Sequence, residues 1–209
     1  MGCEITVEIK TDKAQVFTIL EKQGYTRIDR WMQISTYWTH LDLNTDPALD
    51  AKTRKDSPPT PIPYKTLIAN SVIVRDKRGG GEDATLLIHK GKTFDTAGNV
   101  TREHQNKCNI DLGANKVFEL AGFKNWVTMR AEQLIFANPK CNKSFAVQDV
   151  DGLGLYLEIE DRNNNGKTQS DLIHLAKSLG LELGNDFTGI KLPYLLYELY
   201  EHRKTPPKV

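Results

Sequence analysis

The stretch from Leu155 to Glu160 constrains the fold of this chain most, because its apolar and polar residues alternate strictly. The apolar positions are Leu155, Leu157 and Ile159, and the polar positions are Tyr156, Glu158 and Glu160. A period of two is typical of a β-strand with one buried face. Glu158 and Glu160 therefore share a face, about 7 Å apart along the strand. Nearby carboxylates repel each other unless a cation lies between them, so the pair indicates either a solvated outer face or a site for a hard divalent cation such as Mg²⁺ or Mn²⁺.

A second alternating segment lies at the start of the chain, over residues 4–10. Its polar positions are Glu4, Thr6, Glu8 and Lys10, and its apolar positions are Ile5, Val7 and Ile9. The pattern predicts another strand with one buried face. Carboxylate and ammonium groups would then share the face that is not buried.

Composition limits the classes of protein to which the chain can belong. With 209 residues, 39% of them hydrophobic, it can bury one sizeable core, and a single domain over 1–209 is the simplest count. A net charge of +1, from 28 basic and 27 acidic residues, argues against nucleic acid or a membrane surface as partner. Cys3, Cys108 and Cys141 lack a metal-ligand spacing, so we expect reduced thiols and a cytoplasmic protein.

The rest of the chain mixes strand and helix patterns, which predicts an α+β domain. Further strands are predicted at 25–40, 67–75, 84–92, 102–110, 126–136 and 144–150, with a turn at 76–83. Helices are predicted after caps at Asp12 and Thr168, over 113–121 and from Pro193. Residues 42–63 are rich in Asp, Pro and Thr and predict a loop.

Several motifs together resemble the CYTH superfamily of triphosphate tunnel enzymes. They are Glu8-x-Lys10, Gln33-x-x-Thr36-Tyr37-Trp38, Lys90-Gly91, Thr101-Arg102-Glu103, Asp149-Val150-Asp151-Gly152-Leu153-Gly154 and Leu157-Glu158-Ile159-Glu160. The last two look most similar to the class IV adenylate cyclases. The resemblance covers nearly the whole chain and implies an eight-stranded antiparallel β-barrel, open as a tunnel, with helices packed outside.

The resemblance also implies roles for individual residues. Glu8, Glu158 and Glu160 would be ligands of Mg²⁺ or Mn²⁺. Lys10, Tyr37, Arg75, Lys90, Arg102 and Arg130 would bind the substrate, and Lys90 and Asp149 would be catalytic. Metal ions that bridge phosphate oxygens, and cations that neutralise a leaving pyrophosphate, suit such chemistry.

Three positions depart from the pattern of the family. Thr6 stands where a first glutamate is expected, Ile73 where an arginine is expected, and Gln148 where an aspartate is usual. Asp149 is next to Gln148, but a shift of one residue in a strand reverses the face. These departures bear on catalytic strength and on metal occupancy.

The resemblance thus implies, as the leading hypothesis, a metal-dependent enzyme that converts ATP to cyclic AMP and pyrophosphate, as a class IV adenylate cyclase does. One alternative is a triphosphatase for thiamine triphosphate or inorganic triphosphate. Another is a non-catalytic binder of nucleotide or polyphosphate with a degraded metal site. The expected partner is a nucleoside triphosphate or other triphosphate, and the family makes a homodimer plausible.

Overall fold

The computed structural model describes residues 3–41, 43, 62–81, 83–94, 100–110, 113–141, 143–161, 166–187 and 191–204. The side chains of residues 64–65, 90–94, 100–105 and 201–204 lie outside the described part, as does most of the loop predicted over 42–63.

Eight strands form one antiparallel sheet in the order β1-β8-β7-β6-β2-β3-β4-β5. The strands are β1 (Glu4–Glu8), β2 (Thr26–Thr39), β3 (Ser71–Arg78), β4 (Ala84–Phe94), β5 (Val100–Asn109), β6 (Lys124–Asn138), β7 (Lys143–Val150) and β8 (Gly154–Glu160). The predicted α+β class with eight antiparallel strands is confirmed. β1 and β5 form the two edges of the sheet, so among the described residues the strands do not close into the expected barrel.

Five helices accompany the sheet. They are α1 (Lys13–Lys22), α2 (Tyr64–Ala69), α3 (Ala114–Leu120), α4 (Gln169–Ser178) and α5 (Leu192–Lys204). The predicted caps are present: the Asp12 side chain accepts a hydrogen bond from Ala14 N at 2.8 Å, and Thr168 forms a capping box with Asp171. Each cap satisfies backbone N–H groups that would otherwise lack a partner at the start of its helix.

The chain divides into two compact units. The first comprises Met1–Gln33, Arg78–Glu82 and Arg130–Leu195, and the second comprises Ile34–Lys77, Asp83–Met129 and Leu196–Val209. Each unit has its own packing and is described by itself. The single domain over 1–209 stays a prediction.

The core of the first unit lies between the sheet and helices α1 and α4. We call this side of β1, β6, β7 and β8 the helix face; it carries Ile5, Val7, Leu134, Phe136, Val147, Leu157 and Ile159. Val7 and Leu157 are register partners and both are 0% exposed. Burial of each such side chain contributes about 1.5–3 kcal/mol, so the alternating pattern fixes which side of β1 and β8 faces the helices.

The second unit packs around Trp126 of β6. Its indole Nε1 donates a hydrogen bond to Ser71 Oγ at 2.8 Å, and its ring lies 5.2 Å from Tyr37 and 5.7 Å from Tyr197, between centroids. Trp38 is held separately, because its Nε1 donates to Asn115 Oδ1 on α3 at 2.9 Å. Both indoles therefore have a polar partner as well as apolar neighbours.

One predicted boundary is wrong. The strand expected over 67–75 begins only at Ser71, because residues 64–69 form helix α2. The Ser71 hydroxyl donates to Leu67 O at 2.5 Å and thereby joins the end of that helix to the start of β3. A short apolar run is compatible with either a helix or a strand, and periodicity alone does not distinguish them.

Among the described residues, the helices are all too short or too polar to cross a membrane.

Candidate functional site

The pairing of β1 with β8 brings carboxylates onto one side of the sheet. The register pairs are Glu4 with Glu160, Thr6 with Glu158, and Glu8 with Tyr156. Side chains that are directly opposite in an antiparallel pair share a face, with Cβ atoms about 5 Å apart. We call this side the carboxylate face; it carries Glu4, Thr6, Glu8, Tyr156, Glu158 and Glu160, and it is opposite the helix face.

The carboxylate face continues across β7 and β6 through two glutamines. Gln148 is the register partner of Tyr156, and Gln133 is the register partner of Gln148. Gln133, Gln148 and Tyr156 are only 5%, 4% and 5% exposed. Gln148 Nε2 donates a hydrogen bond to Glu158 Oε2, so a buried amide holds the carboxylate.

The predicted ligands Glu8, Glu158 and Glu160 do not form a ready metal site. Glu8 is level with Tyr156, four residues from Glu160, which corresponds to about 13 Å along the strand. Glu4 is the residue opposite Glu160. Across the part of the chain that the structure describes, no group of three His, Cys, Asp or Glu side chains could hold a metal ion. These residues as placed therefore do not fit a resident cation held by the protein alone.

Tyr156 and Glu8 form an electrostatic pair on the same face. Burial raises the pKa of Tyr156, and the negative charge of Glu8 raises it further. The phenol is therefore neutral at physiological pH and can donate a hydrogen bond. The alternating pattern already placed Tyr156 beside Glu158, but only the register shows that it faces Glu8.

Asp149, which was expected to be catalytic, lies on the helix face. It is the register partner of Leu155 and of Glu132, and Lys13 of α1 lies between the two carboxylates. Lys13 Nζ is 2.5 Å from Asp149 Oδ2 and 2.7 Å from Glu132 Oε2, while Arg30 Nε also contacts Glu132. We call these four residues, Lys13, Arg30, Glu132 and Asp149, the Lys13 network.

Protonation states in the Lys13 network follow from these contacts. Partial burial alone would lower the pKa of Lys13, but its hydrogen bonds with Asp149 and Glu132 raise that pKa above the usual range. The hydrogen bond from Lys13 lowers the pKa of Glu132, partial burial opposes this shift, and Arg30 adds to it. Both groups are therefore charged near neutral pH, and the network connects α1 to three strands.

The other predicted site residues of the first unit are exposed. Lys10 directly follows Ile9, which forms an isolated bridge with Leu183 beyond the end of β1, and the backbone N of Lys10 donates to Glu182 O at 2.8 Å. Arg130 alternates with Ala131, whose register partner is Val150, so it lies on the opposite side of the sheet from Gln133. Its Nε is 3.8 Å from Asp151 Oδ2, with 57% of the side chain exposed.

In the second unit, Arg75 and Tyr37 occupy different surroundings. Arg75 Nε donates to the buried Ser35 Oγ at 3.0 Å, a contact that orients the guanidinium group. Tyr37 is 4% exposed and packs against Trp126. Lys90 is the register partner of Gln105 and Arg102 is the register partner of Thr93, but the side chains of Lys90 and Arg102 lie outside the described residues.

The glutamines and Lys13 are the site features that the pattern did not reveal. In the sequence Gln148 stands out only as a departure from the pattern of the family that the chain resembles, and neither Gln133 nor Lys13 belongs to a motif. Alternation along the strand could have indicated Gln133 and Gln148, because each lies between residues that face the opposite side of the sheet. Fold and site together define an α+β protein with carboxylates and buried amides on one side of an antiparallel sheet.

Comparisons with known proteins agree with this description. No family model matches the chain. A protein of Methanocaldococcus jannaschii, named as a candidate adenylate cyclase, is 26% identical over 191 residues, which cover 87% of this chain and 93% of that protein.

Two solved structures share the fold. A candidate adenylate cyclase from Vibrio parahaemolyticus has a TM-score of 0.57 at 18% identity, covering 93% of this chain and 97% of that one. A candidate adenylyl cyclase from Hippeastrum, described as having a dominant triphosphatase activity, has a TM-score of 0.52 at 11% identity, covering 99% and 98%. The sequence match to the Methanocaldococcus jannaschii protein supports the resemblance to adenylate cyclases, and the two solved structures, whose names point to adenylate cyclase and triphosphatase activities, show that this chain shares their fold.

Proposed function

We propose that this protein is an enzyme that acts on a metal–triphosphate complex and cyclises ATP to cyclic AMP and pyrophosphate. The observation that carries the proposal is the alignment of Glu4, Glu158 and Glu160 on one face of β1 and β8. Such a face repels a bare triphosphate, so a polyanion approaches it only with a cation between them. The name of the Methanocaldococcus jannaschii relative supports the choice of ATP as substrate.

The divalent cation is best treated as part of the substrate. Mg²⁺ usually keeps several waters and binds one or two carboxylates together with substrate phosphates, rather than a cage made by protein alone. Glu158 and Glu160 are two such carboxylates on one strand face. Dependence on Mg²⁺ or Mn²⁺ stays a prediction, and the assay below treats the metal as a variable.

Basic side chains would contact the phosphates. Arg75 is oriented by Ser35, and an oriented guanidinium suits bidentate contacts with phosphate oxygens. Lys10, Lys90 and Arg102 stay predicted phosphate contacts. In cyclisation the oxygen of the ribose 3′-hydroxyl attacks the α-phosphorus and its proton passes to solvent. The bond from that phosphorus to the bridging oxygen breaks, and pyrophosphate leaves with the charge that these cations neutralise.

Hydrolysis is the second candidate function. The same contacts would serve if water attacked the terminal phosphorus and orthophosphate were released, with thiamine triphosphate or inorganic triphosphate as substrate. The observation that favours it is the triphosphatase activity described for the Hippeastrum protein, whose fold this chain shares. A cytoplasmic location and a homodimer stay predictions.

One assay distinguishes the candidates. The protein is incubated with ATP, thiamine triphosphate and tripolyphosphate, each with Mg²⁺, Mn²⁺ or EDTA, and the products are separated by chromatography. We expect cyclic AMP and pyrophosphate from ATP in the presence of metal. Orthophosphate release in place of cyclic AMP would replace cyclisation by hydrolysis. Binding of all three compounds without turnover would overturn the enzyme proposal in favour of a nucleotide or polyphosphate binder.

A further inference from the structure

We propose that Gln148 is a positioning residue whose buried amide holds Glu158, so that the described residues of the carboxylate face offer no preformed site for a free divalent cation and this face takes up metal only with the triphosphate. This inference rests on the proposed function and deepens it. The inference specifies that the cation binds as a complex with the triphosphate and not as a free ion.

The contact itself is the first step of the argument. Gln148 is 4% exposed, and its Nε2 donates to Glu158 Oε2. A buried amide N–H retains a hydrogen-bond partner because leaving it unpaired is costly. One acceptor position of Glu158 Oε2 is therefore taken by a neutral donor, and the side chain at position 148 adds no negative charge that would help to hold a cation.

The neighbours of Glu158 are the second step. Its register partner on β1 is Thr6, and its register partner on β7 is Ala146. None of Thr6, Ala146 and Gln148 carries a carboxylate, so the immediate cross-strand neighbours of Glu158 provide no second anionic ligand. A hard divalent cation held by protein alone needs several oxygen ligands, and the described residues supply no group of three acidic or imidazole side chains.

Support behind Gln148 is the third step. Gln133 and Gln148 are register partners on the carboxylate face, and Glu132 and Asp149 are the adjacent register partners on the helix face. Lys13 contacts both carboxylates of that second pair. Because successive residues of a strand point to opposite faces, the contact of Lys13 with Asp149 on the helix face keeps Gln148 on the carboxylate face.

Replacement of the amide by an acid should convert the contact into a cation site. A carboxylate at position 148 would face Glu158, and two close carboxylates favour a cation between them. A glutamate in place of Thr6, the β1 partner of Glu158, should also create a cation site, and Thr6 is only half-buried. Both changes add an anionic ligand, and only one of them alters a buried residue.

The test measures free Mn²⁺ by electron paramagnetic resonance in the absence of any triphosphate, so that it does not depend on turnover. Gln148→Glu and Thr6→Glu should each bind free Mn²⁺ at least about tenfold more tightly than the wild type. Gln148→Met, which removes the amide without adding charge, should tighten binding less than either acidic variant. Thr18→Glu adds the same charge on the exposed surface of α1 and should leave Mn²⁺ affinity unchanged. Thermal melting identifies variants that are not folded.

Addition of the non-hydrolysable β,γ-methylene analogue of ATP completes the test. We expect the wild type to bind Mn²⁺ at least about tenfold more tightly with the analogue present than without it. Wild-type affinity for free Mn²⁺ equal to that of both acidic variants would overturn the inference even if the enzyme turns over ATP. If instead the Mn²⁺ pattern holds but no triphosphate is converted, the inference stands and the proposed reaction fails.

Discussion

Lys13 Nζ lies 2.5 Å from Asp149 Oδ2, on the side of the sheet that α1 and α4 cover. Asp149 is adjacent in sequence to Gln148, which contacts Glu158 on the opposite side. Two neighbouring residues of β7 thus serve different purposes: Asp149 joins the sheet to α1, and Gln148 holds a residue of the proposed site. For this reason we do not include Asp149 among the groups that would contact substrate.

Removal of the Lys13 ammonium should destabilise the first unit. Lys13→Met removes the ion pair between Lys13 and Glu132 and leaves the one between Arg30 and Glu132. The Glu132 side chain is 12% exposed. Because the Lys13 side chain is 41% exposed, solvent screening limits the loss, and we expect the free energy of unfolding to fall by about 1–2 kcal/mol. Urea unfolding at neutral pH measures it. Lys116→Met removes an exposed ion pair with Glu119 and should cost less than about 0.5 kcal/mol; equal losses would contradict the account.

Stability should also fall in acid because of Glu132. Its pKa is lower in the folded state, with the Lys13 hydrogen bond as the main cause. The folded state therefore gains stability from this group above the usual glutamate pKa of about 4.3, and it loses that gain as the pH falls through the lowered value. We expect wild-type stability to decline more steeply below about pH 4.3 than that of Glu132→Gln. Glu119→Gln is the exposed control, and a wild-type decline no steeper than that of Glu132→Gln would contradict this assignment.

The second unit can be tested through its buried indole. Trp126→Phe retains the ring contact with Tyr197 but removes the hydrogen bond to Ser71 Oγ. The Ser71 hydroxyl keeps its bond to Leu67 O, so loss of this one buried hydrogen bond should lower the free energy of unfolding by about 0.5–1.5 kcal/mol. Trp38→Phe removes an equivalent bond to Asn115, which is only partly buried and can turn to water, so its loss should be smaller. The reverse order, measured by urea unfolding, would show that the Ser71 contact is not important.

Arg75→Lys tests the proposed phosphate contact. Lysine keeps the charge but loses the planar fork that Ser35 orients, so the KM for the triphosphate should rise about tenfold with a smaller change in kcat. Steady-state kinetics with the preferred substrate measures both constants. Arg27→Lys is the matched control, since Arg27 lies over the Phe17 ring at 5.7 Å on the first unit. A KM unchanged by Arg75→Lys would remove Arg75 from the site.

Alternation predicted the two sides of β1 and β8 correctly. Ile5, Val7, Leu157 and Ile159 are all at most 2% exposed, and the polar residues between them lie on the other side. Burial of one face is a local property of a strand, so a single segment reveals it. The register between two strands is not local. The sequence could not show whether Glu4 or Glu8 stands opposite Glu160, and the prediction relied on Glu8.

The identity of the contacts made by polar residues was harder to predict. Gln148 departs from the pattern of the family, but a departure does not reveal that its amide donates to Glu158. The same limit applies to Lys13, which looks like an ordinary helix residue until α1 is placed over Glu132 and Asp149. The contacts of Lys13 with Glu132 and with Asp149 each join residues more than 100 positions apart, and no local sequence pattern encodes them.

The most direct measurement of the central claim is metal-dependent turnover of ATP and tripolyphosphate by the double variant Glu158→Gln with Glu160→Gln. The matched control is Glu21→Gln with Glu182→Gln, which removes two exposed carboxylates elsewhere on the first unit. The account predicts that the first variant remains folded and loses turnover, while the control retains it. Undiminished metal-dependent turnover by a folded Glu158→Gln, Glu160→Gln protein would contradict the assignment of the carboxylate face as the site.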